Sequence, residues 1–585
     1  MNKNTLLAFI LVLITVAFFN SSQWNRFYYE TILRKPYPAQ QTKTTQTPAK
    51  KLNTETDTIT ADTSVKPPLI TEVDSLPAQQ PQNIEADTVW IENEKIIAGI
   101  TEEGARIVSL KMKGYNYSTG KQKGKMVDLV VEGSSGGAQL SIAGISYNNK
   151  LFQFQGNKDG KIEVGKGQKK TLLFNHTEKN GDVVKKEFTF DSDKYQIGFR
   201  VGGTAISGER ITVGWLSGIN ESETGDAQPE PRIVHYFDGS SVENITMKKP
   251  GNEETTGNYK WVGITSKYFF ISIVADTIRD ADISVKGFES GELVKKQKLM
   301  NYSIGYTSTA DANTQGYWFY TGPNQLQILK SYNLKFEKVL FQGWKFLWAN
   351  QWFPWLAEFV LWLLIVLYKL VKDFGVAILL ITILSRIVTF PMTQSSTKSM
   401  SRMKDIQPKV DAIRKKYKSN PQKMNEEIMA VYRQEGVNPL NPGCLPMFLQ
   451  MPIFIALFVV LRKAIELRGA GTWLIPWVND LSKPESLVSL ESIIPGGIPL
   501  YGSSIALLPI IMAVLTYFQN KMTIKDPNQK AMIYFMPVFM LVLFNNFPSG
   551  LVLYWTASSA LAILQQYYTE KFSKKNVAEA TAKKK

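Results

Sequence analysis

The sequence predicts a multi-domain membrane protein: an exported all-β sandwich followed by an α-helical transmembrane bundle of six spans. Three observations carry that reading. Residues 87–323 break into short runs of alternating apolar and polar residues between glycine and asparagine punctuation, the pattern of half-buried strands. The second half holds several apolar runs of bilayer-spanning character. The lysines and arginines behind the formal net charge of +16 concentrate in short loops beside those runs, as cytoplasmic membrane flanks do, rather than in a nucleic-acid footprint. At 585 residues the chain also exceeds what one hydrophobic core serves.

Residues 1–22 carry an apolar core after Lys3 with no small-residue cleavage site behind it, which predicts a signal anchor, a cleaved peptide being the alternative. Residues 23–85 are rich in Thr, Pro, Gln, Lys and Ala and are expected to be a disordered tether. The sandwich is expected over 86–326. Its histidines, His176 and His235, have no metal spacing around them, and the lone cysteine, Cys444, excludes an internal disulfide.

Residues 327–374 read as helix. Trp355 to Val371 is apolar enough to cross, but a crossing there would invert every later loop. It is therefore expected flat on the outer interface, helped by Trp355, Trp362, Glu358, Lys369 and Lys372. The loop at 394–436 sets the parity: from Ser395 to Glu435 it holds ten basic residues against five acidic ones and should lie inside. It divides into two helical patterns around Ser419-Asn420-Pro421, a predicted antiparallel hairpin. After the anchor, spans follow at 375–393, 443–461, 500–519, 532–548 and 551–569. An outer loop lies at 462–499, an inner loop at 520–531 and a basic inner tail at 570–585.

Arg386 sits inside the apolar run Val376 to Met392, where an arginine costs about 2.5–3.5 kcal/mol at a helix centre and normally faces a bundle interior or a wet cavity. Thr382, Arg386, Thr389 and Thr393 fall on one helical stripe. Snorkelling to a headgroup is the alternative. Gln450, Thr516, Gln519, Asn545, Asn546, Thr556, Ser558, Ser559 and Gln565 add uncharged polar groups to or beside the other spans, either as interhelical hydrogen bonds or as the lining of a wet cavity. The proposed spans contain no His, Asp or Glu, and Gly114 to Lys121 is not a phosphate loop. No enzyme, cofactor or metal site is expected.

The stretches LSRIVTFPMT, KVDAIRKKYK, EGVNPLNPGCLPMFLQMPIFIALF and NFPSGLVLYW and the lysine-rich tail, over residues 376–575, resemble the YidC-type membrane protein insertases. The β domain before them looks like that of the Gram-negative form. The resemblance implies an inner-membrane insertase and chaperone whose five core spans form a hydrophilic groove, open to cytoplasm and lipid and closed towards the periplasm. Both termini would be cytoplasmic and the β domain periplasmic. By motif, Arg386 is the groove cation, with Thr382 beside it. Met451, Pro452, Ile453, Phe454 and Tyr554 line a substrate slide, and Trp555, where tyrosine would also be accepted, joins slide and groove. Thr389, Gln450 and Gln519 complete the candidate groove. Implied partners are nascent membrane proteins, the ribosome through the basic hairpin and tail, the SecYEG translocon with its accessory subunits, and membrane lipids. A solute channel or transporter, and a passive assembly scaffold, are the other classes.

Overall fold

The computed structural model describes residues 87–582 apart from 119–121, 159, 205, 224–229, 295–296, 342–348, 436–444, 491–493, 495–497, 499–500, 503 and 524–529. The expected anchor at 1–22, the tether at 23–85 and Cys444 lie outside the described residues. Two compact units are present, one of strands and one of helices.

In the first unit the described residues include eighteen strands that form one hydrogen-bonded network. Val183–Asp191 pairs with Lys169–Thr177 on one side and Gln196–Gly203 on the other, and Gln196–Gly203 pairs with Thr314–Pro323. Inward side chains of these strands build an aromatic ladder, Phe174 to Phe188 to Phe199 to Phe319, with ring centroids 5.8, 5.1 and 5.4 Å apart. A second run places Arg210–Trp215 between Gly137–Ile142 and Gln297–Thr309. Trp215 from this run meets Phe319 of the first at 5.9 Å, so the two layers close on an aromatic core. Gly137 permits that approach, because a Cβ there would fall 2.3 Å from the Trp215 ring. The strands are one connected network, joined where Thr314–Pro323 also pairs with the 26-residue strand Phe269–Val294.

One inward position in this core is a lysine. Along Val183–Asp191 every second residue is buried, and Lys186 falls on that face with no exposure at all. Its ammonium donates to the carbonyls of Gly104 at 2.6 Å and Ala138 at 2.9 Å and lies over the rings of Phe152 and Phe199. Burial, and secondarily the charge of Arg106, holds it well below the ordinary lysine pKa.

In the second unit α1 (Leu326–Ser331) precedes α2 (Ala349–Val371), which buries Phe353, Ala357, Val360, Leu361 and Leu364 along one face. The opposite face presents Trp355, Phe359 and Trp362, stacked in sequence at 6.0 and 5.8 Å. Lys330 and Lys338 both bridge to Glu358 at 3.3 Å. Among the described residues α2 has the one stretch, Phe353–Val371, long and apolar enough to cross a membrane; Phe374–Phe390 and Ala531–Phe544 are shorter apolar helices.

Four boundaries differ from the sequence expectation. The span expected at 375–393 and the first arm of the hairpin are one helix, α3 (Phe374–Lys416), 43 residues or about 65 Å long, which runs on through Pro391 and Pro408. The hairpin turns at 417–420 into α4 (Pro421–Gln434), capped by Asn420 accepting from the Lys423 amide at 3.1 Å and opened by Pro421. After α5 (Leu445–Lys463), the helix expected from 500 begins only at Leu507 as α6 (Leu507–Thr523), because Ser504–Ile505 pairs as a strand with Val488–Ser489. The helix α7 (Lys530–Phe544) stops short of 548, where Asn545 turns its amide onto the carbonyls of Tyr501 and Ser504. Finally α8 (Ser549–Ala582) continues past 569 through most of the expected tail. α8 packs on α3, α5 and α6, and α7 packs on α6.

Candidate functional site

The polar stripe of α3 faces α8. Thr382 is fully buried and donates its hydroxyl to the Ile378 carbonyl at 2.8 Å; Ser385 donates to Thr382 at 2.8 Å and Thr389 to Ser385 at 2.9 Å. Each hydroxyl thereby meets the preceding turn of its own helix. Arg386 is different. Its side chain is half-buried, and its Nη2 donates to both the carbonyl and the hydroxyl of Ser558 on α8, each at 2.7 Å. Its Nε is buried without an acceptor. The guanidinium thus joins two helices while part of its donor fork is left over.

A second polar join lies between α5 and α8, where the Gln450 amide donates to the Tyr554 hydroxyl. Tyr554, expected on the substrate slide, is completely buried and makes this polar contact. Beside it Trp555 stands edge-on to Phe454 at 5.1 Å and tilts against Phe544 of α7 at 5.4 Å. Met451 is exposed, and Pro452, Ile453 and Phe454 are half-buried. The sequence-predicted residues thus fall into a polar seam, Thr382, Arg386, Thr389, Gln450 and Tyr554, and an apolar surface, Met451, Pro452, Ile453, Phe454 and Trp555. Gln519 on α6 is half-buried, and no hydrogen bond joins it to Arg386 among the described residues.

The loop after α5 is stitched to the starts of three helices. Asp373, the N-cap of α3, accepts from the Val376 amide at 2.9 Å, the Thr472 hydroxyl at 2.8 Å and the Trp473 amide at 3.1 Å. Burial raises its pKa, but these donors and the Gly375 amide outweigh burial and hold it below the ordinary value. Gly375 leaves the room, since a Cβ there would fall 2.3 Å from the Thr472 hydroxyl. Glu485 accepts from the first two amides of α6, Leu507 and Leu508, each at 2.9 Å, and from the Trp477 indole at 2.8 Å. The start of α8 is held by Ser549 donating its amide to Lys483 at 2.8 Å and its hydroxyl to Asp480 at 3.0 Å. Sequence reasoning missed these clamps. The available signal was an Asp just before an apolar helical run, the mark of an N-cap.

Within the same loop Glu466 has both carboxylate oxygens buried without a hydrogen-bond partner, and burial pushes it up to about 7.

Residues 366–576 match the family described as 60Kd inner membrane protein, and residues 88–363 match the YidC periplasmic domain. The membrane protein insertase YidC of Chloroherpeton thalassium is 30% identical over 509 residues, covering 83% of each chain. That of Chlorobium luteolum is 31% identical over 499 residues, covering 82% of this chain and 81% of the other. Among solved structures, an active YidC insertase with its first transmembrane domain resolved aligns over 82% of this chain and 92% of that one, at 18% identity and a TM-score of 0.37. Two family matches that together run through both units, and relatives at this identity matched over four fifths of their length, establish that the chain belongs to the YidC family of inner-membrane insertases.

Proposed function

We propose that the chain receives hydrophobic segments of nascent membrane proteins at a hydrophilic groove around Arg386 and releases them sideways into the inner membrane. The observation that carries this reading is the half-buried guanidinium of Arg386, held by the neutral acceptors of Ser558 with its Nε unmatched. A cation so placed lowers the cost of bringing a polar or acidic segment out of water. The client's apolar helix then passes Met451, Pro452, Ile453, Phe454 and Trp555 into lipid. Hydrophobic transfer, at about 25 cal/mol per Å² of apolar surface, supplies the driving force without nucleotide hydrolysis.

The clamps of Asp373, Glu485 and Ser549 support a bundle closed at one end. Charge parity places that end outside: six spans, both termini inside, the β domain in the periplasm and the α3–α4 hairpin in the cytoplasm. In this arrangement α2 lies flat on the outer interface despite its length, its Trp355, Phe359 and Trp362 face in the headgroup region and Glu358 held by two lysines. The basic hairpin and tail form the landing surface for a ribosome and for acidic lipid headgroups, and chaperoning and handover from SecYEG occur at the same lateral face.

The test is insertion by reconstituted protein of paired clients that differ only in acidic residues of the translocated segment. Arg386→Ala is expected to impair the acidic member selectively at equal protein level. Equal insertion of both members would contradict the role of Arg386, and solute flux through the purified protein would favour a channel.

A further inference from the structure

Arg386 has no carboxylate partner among the described residues; its ligands are two oxygens of one neutral residue, Ser558. The positive charge is therefore solvated but not neutralised. Ser558 itself is buried, so both of its oxygens lie in a setting where an exchange of hydrogen-bond partners has consequences. The two acceptors differ in kind. The carbonyl belongs to the backbone of α8 and is fixed there, whereas the hydroxyl sits on a rotor that can leave the guanidinium. A carboxylate is a stronger acceptor than a hydroxyl and matches the planar fork of an arginine with two oxygens, one for Nη2 and one for the unmatched Nε.

We propose that Ser558 is the resting acceptor of Arg386 and a specificity-determining residue of the groove: its hydroxyl occupies the place of an acidic client side chain and sets how strongly acidic segments are favoured over neutral ones. The proposal rests on the groove reading given above. Ser558 acts as a competitor. It keeps the arginine in one rotamer, aimed at α8, and prevents neutral polar segments from binding there, because exchanging one neutral acceptor for another gains nothing. Only a charged acceptor gains on displacing it.

The experiment compares insertion of one client with Asp in its translocated segment against the same client with Asn, by intact protein in vesicles of native inner-membrane lipid. Ser558→Ala removes the competitor, opens the arginine to neutral segments as well, and is expected to narrow the preference for the acidic client about tenfold, the lower end of the worth of one hydrogen bond to a charged group. Ser558→Asp gives the arginine a permanent carboxylate and is expected to abolish the preference, because the Asp client loses its advantage over the Asn client. Ser558→Thr keeps the hydroxyl and should behave as the parent protein, which separates the role from mere packing. An unchanged preference in both Ser558→Ala and Ser558→Asp, or an equal fall of both clients in either variant, would overturn the proposal. If the parent protein prefers acidic clients and Arg386→Ala does not, while the Ser558 variants keep the preference, the Ser558 proposal alone fails. If Arg386→Ala leaves the preference intact, the groove reading fails and the Ser558 proposal with it.

Discussion

Asp373 and Thr472, ninety-nine positions apart, meet through a 2.8 Å hydrogen bond that ties the first turn of α3 to the loop following α5. The same carboxylate caps α3, so one residue starts the helix that carries Arg386 and fixes the loop beside it.

Asp373→Ala removes the cap and leaves the Thr472 hydroxyl and the Trp473 amide without their acceptor. The expected loss is about 2–4 kcal/mol of stability, the sum of a lost N-cap and newly unmatched buried donors, seen as a lower unfolding midpoint in detergent. Asp373→Asn, which keeps one oxygen, should lose less. A midpoint unchanged by Asp373→Ala would show that the loop is held by other means.

Glu466 predicts a pH dependence of known sign. Its folded pKa, about 7, stands above the ordinary 4.5, so the folded state favours the protonated form. The stability it contributes is complete below about 4.5, is lost as pH rises, and is gone above about 7. Unfolding measured across that window should show stability falling with pH, and Glu466→Gln should flatten the slope. A rising slope that the substitution leaves intact would contradict the buried carboxylate.

Lys186 works in the opposite direction. Its folded pKa is depressed, so its ammonium is disfavoured in the core, and stability falls as pH drops from the ordinary lysine range, about 10.4, towards the folded value. Hydrogen exchange at Val183–Asp191 should therefore slow as pH rises through that window, after correction for the intrinsic rate. Lys186→Met should remove the dependence.

Trp555 makes its packing contacts with Phe454 and Phe544. Trp555→Ala is expected to cost about 2–3 kcal/mol, less than a fully buried aromatic because the ring is half-exposed, and to reduce client release into lipid. Trp555→Tyr should retain most of both. Insertion that survives Trp555→Ala undiminished would remove this ring from the client path.

The legible parts of this protein were those with a local period. Alternation marked the strands, and a charge at helical spacing with threonines marked the Arg386 stripe, because side chains three and four apart share a helix face. Lys186 was not legible: at an inward strand position its acceptors, Gly104 in a turn and Ala138 on another strand, are brought in from 82 and 48 positions away. The clamps of Asp373 and Glu485 were hidden for the same reason, since each joins residues far apart in sequence. Ser504 and Ile505 continued an apolar run and so read as the start of a span, although their backbone pairs with Val488 and Ser489. Tyr554 and Trp555 are adjacent in LVLYW and read as one surface; on a helix neighbours point about 100° apart, so one is buried against Gln450 and the other packs on phenylalanines.

The most direct measurement is site-specific photocrosslinking from Ile453 and from Trp555, each replaced in turn by a photoreactive residue, to a ribosome-arrested membrane protein whose first apolar segment has just emerged. The account predicts that both positions crosslink to that segment, and that Ile278, exposed on the β unit, does not. Crosslinks from Ile278 with none from Ile453 or Trp555 would contradict it.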